Sequence, residues 1–141
     1  MHGATLVYPM FAMVLLTAVV LRILFRSRVR AVREGALTSA YFRTFQGGVE
    51  PDYAAKPSRQ FKNLFEAPVL FYAACLAAMV TDTASLLVEV LAWAYVALRL
   101  VHTYVHLGGN RLRARVPVYF TSWVVLVALW LAIVVAVALA R

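Results

Sequence analysis

The chain has 141 residues, of which 64% are hydrophobic and only 14% are charged, and its mean hydropathy is +0.80. Soluble domains are closer to half apolar and a quarter charged, so this composition indicates a membrane protein. The length allows one domain and no separate soluble catalytic domain beside it. The net charge of +8 falls mainly in the connections between apolar runs. That placement fits lipid headgroups and membrane orientation, and no nucleic-acid partner is expected.

Four apolar stretches, near residues 4–25, 63–81, 85–107 and 117–140, can each cross about 30 Å of hydrocarbon as a helix. The first stretch has no basic segment before it and no cleavage pattern, which favours a spanning helix over a signal peptide. The predicted fold is an all-α, four-helix transmembrane bundle that forms a single domain over residues 1–141.

The connections between these stretches differ in charge. The long first connection begins "RSRVRAVREG", where a short interfacial helix up to about Gly35 is predicted, and the third connection, "GGNRLRARVP", holds three arginines. The second, "TDTAS", carries only Asp82. The positive-inside rule therefore predicts a multi-pass protein with its basic loops in the cytoplasm. The short chain and the lack of a targeting signal favour a bacterial inner membrane, and a reticulum membrane is the alternative.

Polar residues interrupt the start of the second span, "RQFKNLFEAPVLF". Ionisable groups inside a membrane cost a few kcal/mol each, so they usually face the bundle interior and need partners. Arg59, Lys62 or Asn63, and Glu66 recur at helical spacing and are expected to line one face. Pro68 has no N–H and should loosen the helix and free a carbonyl two to four residues before it.

The third span ends with a similar polar face in "RLVHTYVHLGG". Arg99, His102 and His106 lie at i, i+3 and i+7, and an ion pair between Glu66 and Arg99 on neighbouring helices is a natural hypothesis. Such a pair could serve only to hold two helices together. The two histidines have no third ligand at a matching spacing, so no metal site is predicted.

Three arginines, Arg111, Arg113 and Arg115, alternate just before the fourth span. Membrane anchoring alone can explain them. Together with Arg59 and Lys62, however, they would form a cationic cup above an apolar floor. Such a cup suits an amphipathic ligand that carries carboxylates.

These two segments, "RQFKNLFEAPVLF" and "RLVHTYVHLGGNRLRARVPVYF", resemble the MAPEG superfamily, the membrane-associated proteins of eicosanoid and glutathione metabolism. The similarity is greatest to the branches of microsomal prostaglandin E synthase and microsomal glutathione transferase. It implies a homotrimer of four-helix bundles in which glutathione binds between adjacent subunits near the cytoplasmic face.

The resemblance also implies roles for particular residues. Arg115 matches the arginine that stabilises the glutathione thiolate, and Arg113 could take that place if the helix began at a different residue. His106 stands where the family often has a tyrosine, and Val116 where the prostaglandin synthase has a serine. The implied glutathione-binding residues are Arg59, Lys62, Asn63, Glu66, Arg99, His102, His106, Arg113 and Tyr119.

The leading hypothesis is therefore a membrane-embedded, glutathione-dependent transferase or peroxidase that acts on hydrophobic electrophiles. Whether the chain is catalytic stays open, because some family members keep the fold without catalysis. The alternative is a non-catalytic, lipid-binding or scaffold member of the same fold. A small proton-coupled exporter is disfavoured because the first span contains no acidic residue.

Overall fold

The computed structural model describes residues 2–109 and 111–140, and this part of the chain contains helices and no strands. A short 3-10 turn, His2–Leu6, leads into α1, Val7–Arg33. The remaining helices are α2 (Tyr41–Thr44), α3 (Asp52–Asn63), α4 (Ala67–Val80), α5 (Leu86–Leu107) and α6 (Leu112–Leu139).

Four helical segments are long and apolar enough to cross a membrane: Gly3–Arg33, Asp52–Val80, Leu86–Leu107 and Leu112–Leu139. They confirm the predicted all-α fold with four membrane-crossing helices. The third agrees closely with its predicted range, whereas the other three extend further into the basic connections. The separate interfacial helix is not present, because the basic residues after the first apolar stretch simply continue α1 to Arg33.

Helix α1 buries one narrow stripe. Its buried residues recur every three or four positions and are Pro9, Met13, Leu16, Val20, Leu24, Ser27 and Ala31. Large apolar residues between them, such as Phe11 and Val19, are more than half exposed. In a membrane protein such outward side chains face the hydrocarbon, whereas the buried stripe packs against the other helices, so α1 is apolar on both sides.

The second crossing segment is broken between α3 and α4. Helix α3 ends at Asn63, and the turn Leu64–Glu66 separates it from α4, in which Pro68 is the second residue. Because Pro68 has no N–H, the carbonyl of Leu64 lacks its usual helical partner, as the sequence predicted. The break lies among the polar residues of this segment, and it sets the directions of their side chains.

Helix α5 contacts α1, α3, α4 and, most extensively, α6. Its buried face is apolar in the first half, where the ring of Tyr95 stacks on Phe71 with 4.7 Å between centroids. From Arg99 onward the same face becomes polar, with His102, Thr103 and His106 also buried. The end of α5 is therefore the polar part of the bundle interior.

Candidate functional site

A cavity of about 440 Å³ opens beside the break between α3 and α4, the end of α5 and the first turns of α6. It contains eight of the ten residues that the sequence assigned to the site. The lining residues are Arg59, Lys62, Asn63, Glu66, His102, His106, Arg115, Val116, Tyr119 and Phe120. Arg99 and Arg113 are the two predicted residues that do not line it.

Arg99 lies behind the cavity and has no exposed surface. Its Nη2 donates to the backbone carbonyl of Asn63 at 3.1 Å and also to Oδ1 of the Asn63 side chain. The Nε and Nη1 groups have no hydrogen-bond partner within the described part of the chain. Arg99 therefore joins α5 to the end of α3 and holds Asn63 in place.

The hypothesis of an ion pair between Glu66 and Arg99 is wrong. Among the residues that the structure describes, the one ion pair is Arg30–Glu34 at the end of α1. Glu66 instead accepts a 3.3 Å hydrogen bond from Nδ2 of Asn63. The reason is the helix break, because ending α3 at Asn63 leaves that residue's carbonyl available and brings Asn63 between the acid and the arginine.

The arginines before the fourth span differ in whether they line the cavity. Arg115 is partly buried and lines the cavity, whereas Arg113 is exposed and lies outside the lining. Tyr119, one turn after Arg115, places its ring 5.7 Å from the ring of His102. The alternating pattern of the sequence had left open which arginine reaches the cavity, and the start of α6 at Leu112 decides it.

Two residues that sequence reasoning missed lie directly behind His106. The Gln60 side chain has no exposed surface. Its Nε2 donates to Oγ1 of Thr103 at 2.7 Å, and its Oε1 lies 2.6 Å from Nδ1 of His106. The available signal was spacing, because Gln60 lies between buried Pro57 on α3 and buried Leu64 in the turn that follows, at helical intervals, and it is the polar residue of that series.

The charges around the cavity are unequal. Arg59, Lys62 and Arg115 supply three cations, and Glu66 is the one carboxylate among the lining residues described. Val116 and Phe120, which also line the cavity, are 43% and 63% exposed and present apolar surface. The arrangement can bind a ligand with several carboxylates and one ammonium group beside an apolar molecule.

The MAPEG family model matches residues 6–135 of the chain. This chain belongs to the MAPEG family. The match includes the second and third crossing helices, nearly all of the first and fourth, and every residue that lines the cavity, so it confirms the family to which the sequence segments pointed. Together with the four apolar helices, it identifies an integral membrane protein that resides in a lipid bilayer. Comparisons with curated proteins and with solved structures returned no match.

Proposed function

We propose that this MAPEG protein is a glutathione-dependent transferase or peroxidase that acts on hydrophobic electrophiles in the membrane. The observation that carries the proposal is the lining of one cavity, which combines three cations and one carboxylate with apolar side chains. Family membership supports glutathione-related chemistry. The cavity supplies the more specific argument, because its charges complement those of the tripeptide.

Glutathione carries two carboxylates and one ammonium group. Arg59 and Lys62, on the last turns of α3, are placed to bind carboxylates, and exposed Glu66 is placed to bind the ammonium group. Asn63 keeps Glu66 oriented through its 3.3 Å hydrogen bond. Charged hydrogen bonds of this kind are about twice as strong as neutral ones, so this set favours glutathione over uncharged thiols.

Arg115 is assigned the role of stabilising the glutathione thiolate. A free thiol has a pKa near 8.5 and is mostly protonated at neutral pH, so a nearby guanidinium raises the fraction that is reactive. The sulfur then attacks the electrophile with its lone pair and forms the new bond as the leaving group departs. Val116 offers no hydroxyl to the thiol, which favours general conjugation or peroxide reduction over prostaglandin synthase chemistry.

The second substrate is proposed to arrive from the bilayer. Val116 and Phe120 lie on the exposed side of α6 and also line the cavity, so an apolar electrophile can reach the thiolate without crossing water. We also propose that the chain forms a homotrimer, with the basic loops and the cavity on the cytoplasmic side of a bacterial inner membrane.

The same exposed apolar side favours one alternative, a non-catalytic member that binds lipid in this cavity. In that case Phe120 and Val116 would contact an acyl chain, and the cations of α3 would bind the headgroup. The two functions share a cavity, and they differ in whether glutathione competes for it.

Thermal stability of the detergent-solubilised protein, with and without glutathione, separates the two functions. A ligand at a hundred times its dissociation constant stabilises the folded state by about 2.7 kcal/mol. We expect a clear rise in Tm that is lost in Glu66→Ala and Arg115→Ala and kept in Arg113→Ala, the matched control. No rise at millimolar glutathione, with a lipid identified by mass spectrometry of the purified protein, would replace the transferase with the lipid-binding function.

A further inference from the structure

His106 makes one defined hydrogen bond at the back of the cavity. Its Nδ1 lies 2.6 Å from Oε1 of Gln60, while Nε2 of Gln60 donates to Thr103. With the Gln60 amide in this orientation its carbonyl oxygen can only accept, so Nδ1 of His106 carries the proton. In the neutral ring the other nitrogen, Nε2, then holds a lone pair, because the bond made by one ring nitrogen sets the state of the other.

The three side chains of this hydrogen-bond arrangement are all buried. Gln60 is fully buried, and Thr103 and His106 are each 5% exposed. The 2.7 Å hydrogen bond from Gln60 to Thr103 connects α3 with α5. Nε2 of His106 has no hydrogen-bond partner among the described residues, although its ring lines the same cavity as Arg115. A buried acceptor with no partner in a ligand cavity indicates a donor on the ligand.

We infer that His106 is the base that accepts the thiol proton, and that Gln60 is the positioning residue that keeps its Nε2 deprotonated. The inference rests on the proposed function. The S–H bond breaks, the proton joins Nε2, and the electron pair remains on the sulfur beside Arg115. After the sulfur has attacked the electrophile, the imidazolium gives its proton to the leaving group, which restores the neutral ring.

Two other candidates for the base have different surroundings. His102 is 3% exposed, and its Nδ1 has no partner among residues 2–109 and 111–140. No side chain therefore selects its tautomer in the way that Gln60 selects that of His106. Glu66 accepts a 3.3 Å hydrogen bond from Asn63, and its proposed role is to bind the ammonium group of glutathione.

Nitrogen NMR tests the tautomer without any ligand. In protein labelled with ¹⁵N-histidine, the shift of each ring nitrogen reports whether it is protonated, and the chain has only three histidines to assign. His106→Gln identifies the relevant signals. We expect a protonated Nδ1 and an unprotonated Nε2 in the wild-type protein. A protonated Nε2 would mean that the Gln60 amide is reversed, and it would overturn the inference whatever glutathione does.

Stopped-flow ultraviolet absorbance tests the proton transfer itself, because a thiolate absorbs where a thiol does not. At saturating glutathione, His106→Ala should form the thiolate about 10²-fold more slowly, the lower end of what a positioned base contributes. Imidazole added to the buffer should restore part of the rate, which a purely structural role would not allow. Gln60→Met, of similar shape, should also be slower, although the histidine is intact.

The outcomes distinguish the role of His106 as a base from the proposed transferase function. A wild-type rate in His106→Ala would overturn the inference and leave the transferase function standing. No thiolate in the wild-type protein would overturn both. Should His106→Ala fail to fold, the tautomer measured in the wild-type protein decides the inference alone.

Discussion

Arg99 on α5 donates its hydrogen bonds to the uncharged Asn63 at the end of α3, where the sequence suggested an ion pair with Glu66. The guanidinium is fully buried and donates to the carbonyl and to the side-chain oxygen of Asn63. The amide nitrogen of the same Asn63 donates to Glu66. Because Asn63 accepts both hydrogen bonds that Arg99 donates, the Glu66 carboxylate is left exposed to the cavity, where a ligand cation can bind it. Arg99 thus shapes the site without lining it.

Asn63→Ala should destabilise the protein because it removes an acceptor from a buried charge. Hydrogen bonds to charged groups contribute about 1.5–3 kcal/mol, and a loss of that size is expected in the free energy of unfolding. Thermal unfolding in detergent, followed by circular dichroism, measures it as a lower Tm. Arg113→Ala is the control, since that exposed residue lies outside the cavity. Equal Tm values for both variants would contradict the assigned role of Asn63.

Pro68→Ala should weaken glutathione binding without lowering the stability of the ligand-free protein. The new N–H can donate to the carbonyl of Leu64, so α4 gains a turn and the direction of Glu66 changes. We expect a smaller rise in Tm on adding glutathione, beside an unchanged or higher Tm without it. Pro51→Ala, before α3 and away from the cavity lining, should keep the full glutathione effect. A full rise in Tm on adding glutathione to Pro68→Ala would show that glutathione binding does not require the break between α3 and α4.

Arg115→Ala and Arg113→Ala form a matched pair two residues apart on the first turns of α6. Removing a group that stabilises developing charge typically costs 10²–10³ in turnover, so Arg115→Ala should lose at least about 10²-fold. Arg113→Ala should retain nearly all turnover, because its side chain lies outside the cavity lining. Conjugation of a generic electrophile to glutathione measures both. A larger loss of turnover in Arg113→Ala than in Arg115→Ala would assign stabilisation of the thiolate to Arg113.

The end of α1 carries a pH-dependent contact among residues that do not line the cavity. Glu34 accepts from Nε of Arg30 at 2.7 Å and from the hydroxyl of Tyr53 at 2.8 Å. The Arg30 hydrogen bond, followed by that of Tyr53, lowers the pKa of Glu34 below its ordinary value of 4.5. A lowered pKa stabilises the folded state above the ordinary value, and this contribution disappears as the pH falls through the lowered pKa.

Glu34→Gln should therefore lower the Tm slightly at neutral pH, and the difference from wild type should shrink as the pH falls below 4.5, the ordinary glutamate pKa. The effect is small because all three side chains contact solvent. Tm measured across a pH series tests it, with Tyr53→Phe expected to show a weaker version of the same trend. A difference that stays constant with pH would assign the contact to packing.

Much of the site was visible in the sequence. Polar residues inside apolar runs are costly, so their presence alone marks the bundle interior, and their spacing placed Arg59, Lys62, Glu66 and His102 on two helix faces. The structure brings all four to one cavity. The bounds of the helices were less accurate, because the change from apolar to basic residues ends a hydrophobic stretch without ending a helix, as α1 shows.

The sequence by itself determined the four membrane crossings and the positions of the polar residues along them, because crossing hydrocarbon depends on length and composition alone. Only the tertiary structure decided which groups meet. The pairing of Arg99 with Asn63 instead of Glu66 follows from the turn at Leu64–Glu66. The contact of Gln60 with His106 depends on the rotation and depth of α3 against α5. Such contacts join residues more than thirty positions apart, and no local spacing encodes them.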